Sequence, residues 1–178
     1  MTQSLDIIQL GDSRLRHKAA AVENVHDAPI QKLIDDLITT AANTNGVGIA
    51  APQVAESVRL FIVASRPNPR YPHAPEMTPT PMINPKIVAY STEVVKGWEG
   101  CLSVPGIRGL VPRYQAIEVE YSDRYGKLHK QELTDFVARI FQHEYDHLDG
   151  IVFVDRLESN LDILTEEEYH KNVLQNTK

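Results

Sequence analysis

The chain is poor in several things at once. Its 178 residues include one cysteine, one tryptophan and four phenylalanines, and basic residues are outnumbered, 18 Lys and Arg against 24 Asp and Glu. A single thiol excludes an internal disulfide and fits a reducing compartment, which leaves Cys101 as a buried apolar group, a reactive thiol or a metal ligand. The net charge of −6 argues against broad nucleic-acid binding, because that needs a clustered Lys/Arg surface. No apolar run approaches the roughly 18 residues that suggest a membrane span. The segment from Met1 to Arg16 also lacks the apolar core of a signal peptide. A soluble, cytoplasmic chain with no membrane partner is expected.

What is present is an ordinary globular mixture, 42% hydrophobic and 24% charged, of about one domain's length. A chain of this size buries roughly 70% of its unfolded surface, so no metal staple is needed for folding and any metal site points to function. Asp27 and Pro29 open a segment in which Ile30, Leu33, Ile34, Leu37 and Ile38 recur at helical spacing before Asn43 and Gly46 stop it. Arg59 to Ser65 reads as a short buried strand. Arg66 to Pro81 holds six of the eleven prolines and reads as a loop. Met82–Tyr90 and Glu93–Trp98 read as strands, and Ile117–Ser122 and Leu128–Leu133 flank a hairpin turn at residues 123–127. Thr134 or Asp135 caps a helix from Phe136 to Leu148 that Asp149 and Gly150 close, and a last helix runs from about Thr165 to Leu174. The pattern predicts one α+β domain.

His143-Glu144-Tyr145-Asp146-His147 matches H-E-x-x-H within the penultimate helix, which puts two imidazoles one turn apart on one face. They can grip one metal, while Glu144 reaches a water there without being a ligand. A catalytic site usually supplies three protein ligands. The spacing of the metzincins continues as far as Gly150 but puts Phe153 where their third histidine stands. A downstream carboxylate, Glu166, Glu167 or Glu168, is one remaining candidate; Cys101, bracketed by Gly100 and Gly106, is the other. A metal that merely staples a binding module would need a fourth protein ligand, and His17, His26, His73, His129 and His170 have no informative spacing. Gly46 to Gln53 superficially fits a dinucleotide fingerprint. It follows a helix, runs into Pro52 and has no acidic residue at the ribose position, so that reading fails and Gln53 is better taken as an amide presented from a tight loop.

Taken together, Gly46-Val47-Gly48-Ile49-Ala50-Ala51-Pro52-Gln53, Glu99-Gly100-Cys101-Leu102-Ser103 and Gln142-His143-Glu144-Tyr145-Asp146-His147 resemble the peptide deformylase family, in its order and at its spacings. The resemblance implies a single α+β domain over residues 1–178. Mainly antiparallel sheets would surround a central metal-binding H-E-x-x-H helix, with one helix N-terminal to them and another C-terminal. It implies Cys101, His143 and His147 as ligands of one divalent metal, Fe(II) by preference, with Zn, Ni or Co able to occupy the site. It makes Glu144 the general acid–base, with Gln53 and the Leu102 backbone N–H as oxyanion donors. Val47, Gly48, Glu99, Gly100, Phe136, Arg139 and Ile140 would contact substrate. Glu99 and Arg113 would pair behind Cys101, and Asp146 would orient a histidine or cap local backbone. Helical spacing puts Arg139 on the face shared by Phe136, Ile140 and His143; its guanidinium is expected in solvent at the pocket rim.

The implied substrate is the N-formyl group of N-formylmethionyl nascent peptides, released as formate. The rival readings are another H-E-x-x-H metallopeptidase or a non-catalytic, metal-stabilised module. Transient ribosome contact is a further implication, but five acids against two lysines from Glu158 to Lys178 disfavour that tail as an RNA anchor.

Overall fold

The computed structural model describes residues 2–175. The first helix, α1 (Ala28–Asn43), starts after Asp27 with Pro29 in its first turn and ends at Thr44. Three short apolar pieces follow: β1 (Gly48–Ala50), a 3-10 turn (Ala51–Val54) that carries Gln53, and β2 (Leu60–Val63). The middle of the chain supplies β3 (Thr80–Tyr90), β4 (Val94–Cys101), β5 (Val104–Tyr114), β6 (Ala116–Ser122) and β7 (Leu128–Thr134). Helix α2 (Asp135–Leu148) comes next, then β8 (Ile163–Thr165) and α3 (Glu166–Tyr169). The expected last helix does run to Leu174, but residues 170–174 wind as a π-turn beyond one α turn.

The strands form two antiparallel sheets, β1-β2-β3-β6-β7 and β4-β5-β8. Strand β2 shows why its sequence is continuously apolar. Side chains alternate between sheet faces, and here both faces are covered: Phe61 and Val63 pack toward α2, Leu60 and Ile62 toward α1. The α2 side is closed by Phe141, whose ring meets Phe61 edge-on at 5.0 Å between centroids. The α1 side receives Ile34, Leu37 and Ala41, all fully buried. A smaller cluster of Cys101, Val104, Val111, Val152 and Phe153 ties the three-stranded sheet to the segment after α2.

Strand β5 was not among the expected strands, although at 11 residues it equals β3 in length. Pro105, Gly106, Gly109 and Pro112 hide it, since each reads as a breaker. The structure tolerates both prolines because β8 pairs only with Ile107, Arg108 and Gly109. Pro105 and Pro112 lie beyond that stretch, where β5 has no second neighbour requiring a backbone donor. Among the described residues, no helix is long and apolar enough to cross a membrane.

Candidate metal centre

Strand β4 ends in a register shift between Glu99 and Cys101, and Cys101 pairs with Val104 across a tight turn. That bend carries the thiol to the buried face of α2. Among the described residues, Cys101, His143 and His147 are the group of potential ligands that converges: their donor atoms lie within 4.8 Å of one another, all three side chains buried. Cys101 Sγ stands 3.3 Å from His147 Nε2. His143 Nδ1 is 2.8 Å from Glu99 Oε2, which fixes the ring and leaves Nε2 for the cluster.

The donor set fits a divalent cation. One thiolate with two imidazoles suits iron, zinc, nickel or cobalt, and three protein ligands are the usual complement of a site with an open position. Burial pushes His147 well below its ordinary pKa, keeping the ring neutral as a ligand must be. Burial also opposes charge on His143, yet the adjoining thiol and Glu99 draw its pKa well upward. Glu166, one of the alternative ligands, is engaged by Arg108 through two 2.8 Å bonds, and Phe153, at the metzincin ligand position, stacks on His143 at 6.1 Å.

Glu144 is 4% exposed, and its Oε2 is left without a hydrogen-bond partner among the described residues. Burial pushes its carboxyl up to about 7. A Cβ on Gly48 would collide with Glu144 Oε1, so only glycine at 48 lets β1 pass over this carboxylate. Gln53 is equally constrained. Its Oε1 accepts from the Ala50 N–H at 2.9 Å, which turns Nε2 toward Cys101 Sγ (3.4 Å) and Ser103 Oγ (3.3 Å). The Ser103 N–H also donates to Cys101 Sγ, at 3.4 Å.

The sequence-derived site residues converge on one cleft: Val47, Gly48, Gln53, Glu99, Gly100, Cys101, Leu102, Phe136, Arg139, Ile140, His143 and Glu144 all line it, around about 520 Å³ of open space. His147 lies behind that lining and joins the cluster through its ring. Glu99 borders the cleft, but its carboxylate is committed elsewhere. It accepts from Arg113 (2.9 and 3.0 Å), Arg139 (2.9 Å) and His143. Burial opposes its ionisation, yet Arg113 and His143 hold the carboxyl well below the usual range.

Two expectations need correction. The Arg139 guanidinium does not reach solvent at a rim; it folds back to donate to Glu99 and to the carbonyls of Val95 (2.7 Å), Val111 (2.8 Å) and Gly97 (3.3 Å). Four acceptors outweigh hydration of one exposed cation, and Gly97 gives the guanidinium room to cross β4. Asp146 neither orients a histidine nor caps backbone through its side chain. It binds Arg113 at 2.6 Å and Arg156 at 2.7 and 3.1 Å. Three lining residues escaped sequence reading altogether, Asn45 just before β1 and Arg70 and Tyr71 of the proline-rich segment, because nothing in a loop's composition says where it lands.

The chain is similar to known proteins of one family. Residues 4–162 match the family model described as polypeptide deformylase. A relative from Nostoc sp., named a peptide deformylase, is 77% identical over 174 residues, covering 98% of this chain and 97% of that one. One from Shewanella oneidensis is 47% identical, covering 85% and 83%. Among solved structures, a class I type b peptide deformylase from Acinetobacter baumannii with bound Met-Ala-Ser superposes with a TM-score of 0.86. It is 46% identical and covers 88% of this chain and all of that one. A deformylase from Synechococcus elongatus in complex with actinonin gives 0.79 at 35% identity, covering 89% and 81%.

Proposed function

The chain belongs to the polypeptide deformylase family, and on that premise we propose that it hydrolyses the N-formyl group from the initiating methionine of newly made polypeptides, releasing formate. The observation that carries the proposal is the gathering of Cys101, His143 and His147 in one buried cluster beside an unpartnered Glu144 carboxylate oxygen. In this reading the chain is a single catalytic domain of cytoplasmic, bacterial type, built around α2 as its metal-bearing helix. Cys101, His143 and His147 hold one divalent cation, Fe(II) natively, with Zn, Ni or Co as substitutes. When bound, that cation supplies Lewis acidity and makes water a better nucleophile near neutral pH.

The residues do the rest. Glu144 takes a proton as the water oxygen bonds to the formyl carbon, then passes it to the departing nitrogen as the C–N bond breaks. Its protected, unpaired oxygen suits both duties. The Gln53 amide and the Leu102 backbone N–H donate to the oxyanion that forms between those events, contacts worth roughly 2.7–4 kcal/mol each. Glu99 keeps the His143 ring in register, and Arg113 and Arg139 keep Glu99 in place. Val47, Gly48 and Gly100 border the cleft where an extended peptide pairs with backbone. Phe136, Ile140 and the stem of Arg139 form an apolar wall for the methionine side chain. Transient contact with the ribosome belongs to the same reading, through surfaces other than the acidic tail.

The test is formate release from formyl-Met peptides by anaerobically purified protein, with elemental analysis of its metal. Stoichiometric metal with no formate released would overturn the assignment.

A further inference from the structure

Two groups donate to the oxyanion in the reading above, the Gln53 amide and the Leu102 backbone N–H, and they stand on separate parts of the fold. Gln53 lies in the 3-10 turn after β1, which belongs to the five-stranded sheet, and Leu102 in the turn that joins β4 to β5 of the three-stranded one. One segment near the N-terminus bonds to both. The Ile8 N–H donates to the Gln53 carbonyl at 2.9 Å, and the Leu10 N–H donates to the carbonyl of Ser103, next to Leu102, at 2.8 Å. Resting on the deformylase reading of the metal cleft, we propose that this segment is a strap that sets the spacing of the two oxyanion donors, with Ile8 and Leu10 as positioning residues acting through their backbone N–H groups.

The covalent chain makes the strap a fixed measure. Two residues span at most roughly 7 Å, so the two loops cannot draw apart while both bonds hold. Its ends are anchored as well. Upstream, the Gln3 N–H donates to Asp36 Oδ1 at 3.0 Å and the Leu5 N–H to Thr40 Oγ1 at 2.9 Å, and both acceptors belong to buried residues of α1. Downstream, the Asp12 N–H closes a turn onto the Gln9 carbonyl at 3.0 Å, and Leu15 beyond it is buried. Side-chain burial does not seat Leu10, which is 44% exposed; its backbone does. Gln53 Nε2 also reaches Ser103 Oγ at 3.3 Å and Cys101 Sγ at 3.4 Å, but an amide that donates to an oxyanion gives up at least one of those bonds. The strap's two bonds use main chain alone and persist through the reaction.

Leu10 allows a selective test. It occupies the second position of the Gln9–Asp12 turn, with Gly11 at φ +111° in the third, an arrangement in which proline fits the second position and lacks only the N–H. Leu10→Pro therefore deletes the bond to Ser103, and Leu10→Ala keeps it. The metal-loaded proteins are compared on a formyl-Met peptide, below their melting temperatures and per bound metal. In Leu10→Pro, kcat is expected to fall about tenfold at unchanged KM and metal content, less than the hundredfold or more that follows outright loss of an oxyanion donor. Ile8→Pro, which removes the bond to Gln53, is expected to do the same, and Leu10→Ala to match the native protein. In a Gln53→Ala background, Leu10→Pro should lower kcat at most about twofold, because a single donor has no partner to be spaced from. Native kcat in Leu10→Pro, an equal fall in both backgrounds, or proline variants that do not fold would each overturn the strap as a positioning device. No formate from the native protein overturns the reading of the metal cleft and the strap with it.

Discussion

Single side chains decide the chemistry. Glu144→Gln keeps the volume and the metal ligands but cannot accept a proton, so metal content should hold while turnover falls at least about a hundredfold. Elemental analysis beside a formate assay checks both halves. Cys101→Ala should lose metal and activity together, because two histidines alone make a weak site. Retention of full metal there would point to a ligand set of the endopeptidase kind. Arg139→Leu is the sharper case, since its guanidinium has four acceptors in the folded chain. Their loss is expected to destabilise by about 1–3 kcal/mol in urea denaturation. The KM values for acidic and neutral peptides should move in parallel, because the cation does not face incoming substrate. A selective change for acidic peptides would put the guanidinium back at the rim.

At the scale of elements, β4, β5 and α2 are joined by that same arginine. A Cβ on Gly97 would lie 2.7–2.8 Å from the Arg139 guanidinium, so Gly97→Ala should destabilise the protein. The same substitution in an Arg139→Leu background should cost less, and a double-mutant cycle in urea denaturation measures the coupling. Additivity would mean that the two do not meet. Elements with a clean period were legible beforehand: α1 from its apolar spacing, the β6–β7 hairpin from its turn. Strand β5 was not, because its glycines and prolines are tolerated only through the short reach of β8 along it.

For the molecule as a whole, the C-terminal segment is tied to the three-stranded sheet by the β5–β8 pairing, by Tyr169 against Trp98 and by the Arg108–Glu166 ion pair. Hydrogen bonding to Arg108 holds the Glu166 carboxyl below its ordinary value of 4.5. A carboxyl depressed in the folded state contributes stability in full above the unfolded value, and that contribution is lost as pH falls through the folded one. Melting temperature should therefore drop faster below about pH 4.5 in the native protein than in Glu166→Gln. Equal slopes would show that the pair contributes nothing to acid stability. Removing the metal should lower the melting temperature near neutral pH, where thiolate and neutral imidazoles hold it, because a cation that binds only the folded state stabilises it by mass action.

Local patterns were enough to place His143, Glu144 and His147 on one helix, because an i, i+4 relation is a property of the helix itself. They were also enough to single out Gln53 and Cys101, each in a glycine-flanked segment. Folding alone could bring Cys101 to within 3.3 Å of His147, set three partners around Glu99 and turn Arg139 inward. The same holds for Arg70 and Tyr71, which a proline-rich loop carries to the wall of the cleft. Periodicity records which face of an element is buried. What that face meets is set by the packing of distant segments, and no spacing along the chain encodes it.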